Sequence, residues 1–229
     1  MEIKKILKKL SVHVQKSHTS YDRHNRQLES KDELELARLG GTKRINTNEI
    51  NSASLRINDL LLMHPTVKIA VDIGSGAGWG SASLSKLVDE VIAIEPSQAG
   101  INIATQLYSA TEYPNIVWKN GFAEDALELL TLDAPTLFMT GCVLSHLRDK
   151  EVLSICQKVN LAAPENSVLS FSEAWHEDEK WHQIMWHVRT KDWWQKALPG
   201  WELDFHGPAG DDYKKCHMGF WGVKVTTPK

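Results

Sequence analysis

The sequence predicts an α/β fold, a doubly wound and mostly parallel sheet, preceded by an N-terminal helical extension. Three observations carry this. The run Val67-Lys-Ile-Ala-Val-Asp-Ile73 ends in a glycine cluster, Gly74, Gly76, Gly78 and Gly80. Apolar residues without alternation mark a strand covered on both faces, and glycines straight after it mark a tight turn open to close approach. A second short apolar run, Glu90-Val-Ile-Ala-Ile-Glu95, ends in an acid before Pro96. Beyond Gly80, strand-like and helix-like stretches alternate, as crossover connections require.

Taken in order, residues 1–65 form the extension and residues 66–229 the main domain. Ile3, Ile6, Leu7 and Leu10 recur at helical spacing, with Lys4, Lys5, Lys8 and Lys9 opposite. Such a basic amphipathic helix either docks on its own domain or touches a membrane surface. The stretch up to about Gln27 is polar and reads as loop. Ser30 to Glu33 is a capping box, and Gly40-Gly41 closes its helix. Asn46 to Glu49 opens another, with Ile50, Ala53, Ile57, Leu60 and Leu61 on one face and Pro65 as the stop. Further helices are expected near 81–88, 97–109, 124–130 and 149–159, and strands near 91–95, 115–119, 135–140 and 166–172. Trp201–His206 and Met218–Val225 read as a final strand pair joined by a loop rich in Gly, Pro and Asp.

The glycine turn discriminates among nucleotide sites. A dinucleotide fingerprint needs a small residue at its last position. Counting from Gly74 that position is Trp79; from Gly76 it is Ser81, an imperfect fit. The spacing that holds is D-x-G-x-G-x-G, from Asp72 to Gly78. With it, the chain resembles the class I S-adenosylmethionine-dependent methyltransferases, well over Val67–Phe171 and in outline elsewhere. The resemblance implies a seven-stranded sheet whose last strand is inserted antiparallel. It implies S-adenosylmethionine as cofactor, held by Asp72, Gly74, Ser75, Gly76 and Gly78 in the turn, with Glu95 and Pro96 at the ribose. Phe122, Ala123 and Glu124 would meet the adenine, and Thr140 would line the site. Relatives often carry Asp where this chain has Phe122. The aromatic ring either stacks on adenine or belongs to the core, and Glu124 either meets the base or sits at a helix start favoured by its dipole. Val143-Leu-Ser-His-Leu147 is similar to a piece common after the family's fourth strand.

Composition agrees. At 229 residues the chain suits one α/β domain with an added cap. A net charge of −3 supplies no basic field for nucleic acid. Cys142, Cys156 and Cys216 are odd in number and far apart, fitting reduced thiols in the cytoplasm rather than a disulfide frame. No apolar run approaches the ~20 residues of a membrane span, and the first ten residues lack a signal peptide's apolar core.

Of nine tryptophans, seven fall at or after Trp175, and Trp175-His176, Trp181-His182 and Trp186-His187 repeat as pairs before Trp193-Trp194. The segment reads either as a wall of an acceptor pocket, facing Tyr21–Arg26, or as core, with Trp181, Met185, Val188 and Trp194 on the inner face of a helix. Histidine spacings of six and five do not put two ligands on one helical face, so no metal is expected. Transfer from a sulfonium is an in-line displacement; a base is needed only when the acceptor is protonated. His146 after strand four, and Glu173 and His176 after strand five, are the candidates. The expected activity is methylation, chiefly at oxygen, of a small-molecule or glycan-like acceptor. The N/D-P-P-Y/F/W motif of amino-methylating DNA enzymes is absent; Met139-Thr-Gly-Cys142 stands there. A non-catalytic cofactor-binding partner subunit and an NAD-linked oxidoreductase remain as alternatives.

Overall fold

The computed structural model describes residues 52–176, 187–205 and 217–225. Helix α1 (Ser52–Met63) leads into β1 (Ile69–Ile73), α2 (Trp79–Leu84), β2 (Glu90–Glu95), α3 (Gln98–Leu107) and β3 (Ile116–Asn120). Then follow α4 (Ala123–Glu128), β4 (Thr136–Gly141), a 3-10 turn (Leu144–His146), α5 (Asp149–Ala162) and β5 (Val168–Trp175). Helix α6 (Lys191–Ala197), β6 (Trp201–Phe205) and β7 (His217–Lys224) are the last of the described elements.

The seven strands lie in the order β3-β2-β1-β4-β5-β7-β6. Strands β1 to β5 pair in parallel, and β7 runs antiparallel between β5 and β6. That is the doubly wound sheet with an inverted last strand. Its centre is buried from both sides because successive residues serve different cores. Val71 and Ile73 face the layer of α4, α5 and α6, with Leu127, Val152, Ile155, Val159 and Trp194. Ala70 faces the layer of α1 and α2, with Ile57, Leu60 and Leu84. Two covered faces leave no polar alternation to read.

Most elements fall where the sequence places them; three depart. Helix α2 starts at Trp79 rather than Ser81, because Gly78 caps it in a left-handed conformation with φ +86°, and it stops at Leu84. Strand β5 runs on to Trp175 through a bulge between Phe171 and Ala174. Glu173 therefore lies inside the strand rather than after it. Helix α6 forms under a Thr190 cap, whose hydroxyl accepts the Trp193 N–H at 3.1 Å; Trp194 belongs to it, whereas Val188 precedes it. The Lys-rich start, Tyr21–Arg26, the capping boxes near 30 and 46, Trp181, His182, Met185, Trp186, His206 and Cys216 lie outside the described residues. Among those described, no helix is long and apolar enough to cross a membrane, and no cluster of His, Cys, Asp and Glu could hold a metal ion.

Candidate active site

Strand β1 is flanked by β2 and β4, so the chain reverses direction across the sheet at β1. Open α/β sheets form their ligand crevice at that reversal, beyond the carboxyl ends of the strands. Ile73 pairs with Ile94 on one side and Thr140 on the other, which brings three strand ends together.

The turn after β1 is held from β2. The N–H groups of Gly74 and Ser75 both donate to the Ile94 carbonyl, at 2.8 and 3.0 Å. Glu95 extends the hold: its carboxylate accepts the Gly76 N–H at 2.9 Å and the Ser97 N–H at 2.8 Å. Ser97 in turn caps α3, accepting from the Gly100 N–H. The backbone behind Glu95 is fixed by Asn120, whose amide donates to the carbonyls of Glu95 and Pro96 at 3.0 and 3.1 Å. Glu95 is thus part of the turn's own architecture. Each of its oxygens retains a lone pair for a further donor.

The glycines divide by task. A Cβ on Gly74 would strike the Val143 side chain at 2.4 Å, and one on Gly78 would strike Trp118 at 2.5 Å. These two serve packing. A Cβ on Gly76, which has φ +56°, would meet nothing within 4 Å among the described residues. Of the three, only Gly76 borders open space, which narrows the expectation that all of them make room for a ligand.

Asp72 is buried beneath the turn and accepts the Ser81 hydroxyl at 2.7 Å. Burial pushes its carboxyl up to about 6; the Ser81 hydrogen bonds pull against this, while the nearby Glu95 charge adds to it. The hydroxyls of Ser75 and Thr140 are buried and have no hydrogen-bond partner among the described residues. A buried polar group without a partner is costly; Ser75 lies two residues past the end of β1, and Thr140 is the register partner of Ile73 in β4. Phe122, at the cap of α4, is 56% exposed, so its ring is at the surface rather than in the core; Ala123 and Glu124 are half-buried beside it.

The acceptor-side candidates separate. His146 is half-buried in the 3-10 turn after β4. His176 is half-buried and its N–H donates to the Arg189 carbonyl at 3.0 Å. Glu173 is 0% exposed, and its carboxylate accepts from the Val143 N–H, the Ser145 N–H and the Ser145 hydroxyl. Glu173, expected after strand five, lies within β5, and its enclosed carboxylate holds the loop of residues 143–145. Trp175, 2% exposed, donates its indole N–H to the Gly219 carbonyl and packs edge-on against Phe205. Trp175 and Trp194 are both core, so neither forms a pocket wall. Sequence reasoning passed over Ser145 and Arg189, because nothing in their local spacing signals a buried network.

This is the fold of the class I S-adenosylmethionine-dependent methyltransferases. Solved structures with this fold include TehB from Haemophilus influenzae, with a TM-score of 0.62 and 14% identity over 81% of this chain. The chain spans 65% of TehB's length. CalS10, an amino pentose methyltransferase from Micromonospora echinaspora solved with S-adenosylmethionine bound, also gives 0.62, at 10% identity over 82% of this chain and 96% of its own. Human N-acetylserotonin methyltransferase gives 0.56, at 14% identity over 77% of this chain and 52% of its own. No family model and no curated protein matches the sequence.

Proposed function

We propose that the chain is an S-adenosylmethionine-dependent methyltransferase acting on a small-molecule or glycan-like acceptor, chiefly at oxygen. One observation supports the cofactor reading: near the chain reversal at β1, Gly76 borders open space, Glu95 accepts the Gly76 N–H, and the buried hydroxyls of Ser75 and Thr140 lack partners among the described residues. A cofactor with a ribose diol and an amino-acid tail offers donors and acceptors for each. The residues fit: Glu95 would take the ribose hydroxyls, Ser75 and Thr140 the polar tail, and exposed Phe122 the adenine face. Asp72 lies under the turn, where a cationic ligand would ease the strain on its charge.

When bound, this cofactor supplies a methyl group already activated by positive charge. The protein's task is then to align the acceptor and exclude water. His146 is the side chain suited to accept a proton from an acceptor hydroxyl near neutral pH. Neighbours of the same fold that act on small compounds, CalS10 on an amino pentose among them, support a small acceptor.

Calorimetry tests the reading. S-adenosylhomocysteine is expected to bind and NAD is not; the reverse result removes the proposal. Labelled cofactor incubated with cell extract is expected to mark a small or glycan-type acceptor. Label in DNA alone sinks the acceptor class, and tight binding without any transfer favours a non-catalytic subunit.

A further inference from the structure

The turn that carries His146 is gripped from both sides by buried charges. On one side Glu173 accepts the Val143 N–H at 2.9 Å and both the N–H and the hydroxyl of Ser145 at 2.8 Å. On the other, buried Arg189 donates to the carbonyls of Leu144 at 3.0 Å, Leu147 at 2.7 Å and His187 at 3.3 Å. Its Nε donates to the Asp149 carboxylate at 3.0 Å, and its guanidinium lies 4.8 Å from the Trp193 ring centre. The turn's N–H groups thus meet an anion and its carbonyls a cation.

Burying two charges is a poor way to stabilise a sheet, since apolar residues of similar volume do as well or better. What a satisfied buried network does supply is a single local geometry. Here that geometry belongs to His146, whose N–H also bonds the Val143 carbonyl at 3.1 Å. The same network reaches the chain on both sides of residues 177–186. The His176 N–H donates to the Arg189 carbonyl at 3.0 Å, and the His187 N–H to the Ser145 carbonyl at 2.7 Å.

Resting on the methyl-transfer reading, we propose that Glu173 and Arg189 are positioning residues that lock the His146 turn on the acceptor side of the crevice. Neither touches the acceptor; both act through the backbone of residues 143–147.

The test uses the full chain with histidine rings labelled with nitrogen-15, the His146 signals being assigned by their loss in His146→Gln. Three variants probe the clamp. Glu173→Gln keeps the shape but sets an amide N–H2 against a backbone N–H, Arg189→Lys removes the fork, and Ser145→Ala removes one donor. Each is expected to shift or broaden the His146 signals. Labelled methyl transfer to a small-molecule extract fraction should fall about 10–100-fold, as for a group displaced by about an ångström. The dissociation constant for S-adenosylhomocysteine should stay within about twofold, because only acceptor-side geometry changes. Leu161→Gln, on an exposed face of α5, should change none of the three. If Glu173→Gln does not fold, the milder Ser145→Ala and Arg189→Lys decide. Unchanged His146 signals in those folded variants overturn the proposal, as does an equal loss of cofactor affinity, which marks a general scaffold. Failure of the wild type to bind S-adenosylhomocysteine instead refutes the methyltransferase reading, while the His146 signals still judge the clamp.

Discussion

Asp72→Asn should make the protein more stable at neutral pH and a poorer binder of its cofactor. Asp72 is the buried fourth residue of β1, and burial lifts its carboxyl from the ordinary 3.8 to about 6. A carboxyl whose folded value lies above its unfolded value is favoured in the folded state when protonated. Its contribution is fully present below about pH 4 and is lost as pH rises through about 6. At about 1.4 kcal/mol per pH unit, the gap between 3.8 and about 6 amounts to about 3 kcal/mol. Asparagine has the shape of the protonated acid and keeps an oxygen for the Ser81 hydroxyl, so the variant should escape most of this loss. Urea unfolding of both proteins at about pH 4 and about pH 7 isolates the effect in their difference. The variant should gain roughly 1–3 kcal/mol on the wild type between the two. Its affinity for S-adenosylhomocysteine should fall, a trade of function against stability common at binding sites. An equal pH slope in the two proteins, or a less stable variant at pH 7, would refute the reasoning.

The remaining predictions concern the crevice and the core. Gly76→Val should abolish S-adenosylhomocysteine binding in calorimetry while costing only about 1–2 kcal/mol of stability, since its strain lies in a positive φ and not in a clash. Gly78→Ala should do the opposite: its Cβ meets Trp118 and its φ is +86°, so a urea midpoint should report about 2–5 kcal/mol from overpacking together with left-handed strain. Glu95→Ala should weaken cofactor binding by roughly 1.5–3 kcal/mol, the range for hydrogen bonds to a charged group; unchanged affinity would remove Glu95 from the ribose. Trp175→Ala should destabilise the fold by about 3–5 kcal/mol, as large core truncations do. A selective loss of acceptor turnover with normal stability would return Trp175 to the pocket wall.

The sheet was legible because its signals are local. Buried parallel strands write themselves as runs such as Ile69–Ile73 and Val91–Ile94, and Asp72 to Gly78 states the turn through the one residue type that adopts it. Glu95 was legible as an acid at a strand end, although its hold on the Gly76 and Ser97 N–H groups was not. Composition misled at the tryptophans. A Trp reads the same whether it stacks on a ligand or fills a core, and only the packing of Trp175 on Phe205, and of Trp194 between Phe171 and Phe220, put them inside. Glu173 misled for a related reason: a bulge, which no periodicity announces, carried β5 past it and enclosed it. The clamp on His146 lay beyond reach of the sequence altogether. Glu173 and Arg189 stand 28 and 44 positions from Ser145, and charges that far apart meet only when chain reversal and burial bring them to one turn. The sequence by itself determined the strands, the glycine turn and the acid beside it, since each depends on neighbours a few residues away. The tertiary structure alone decided which glycine faces open space, which aromatics are core, and which buried charges hold the turn, because these depend on what lies across the sheet.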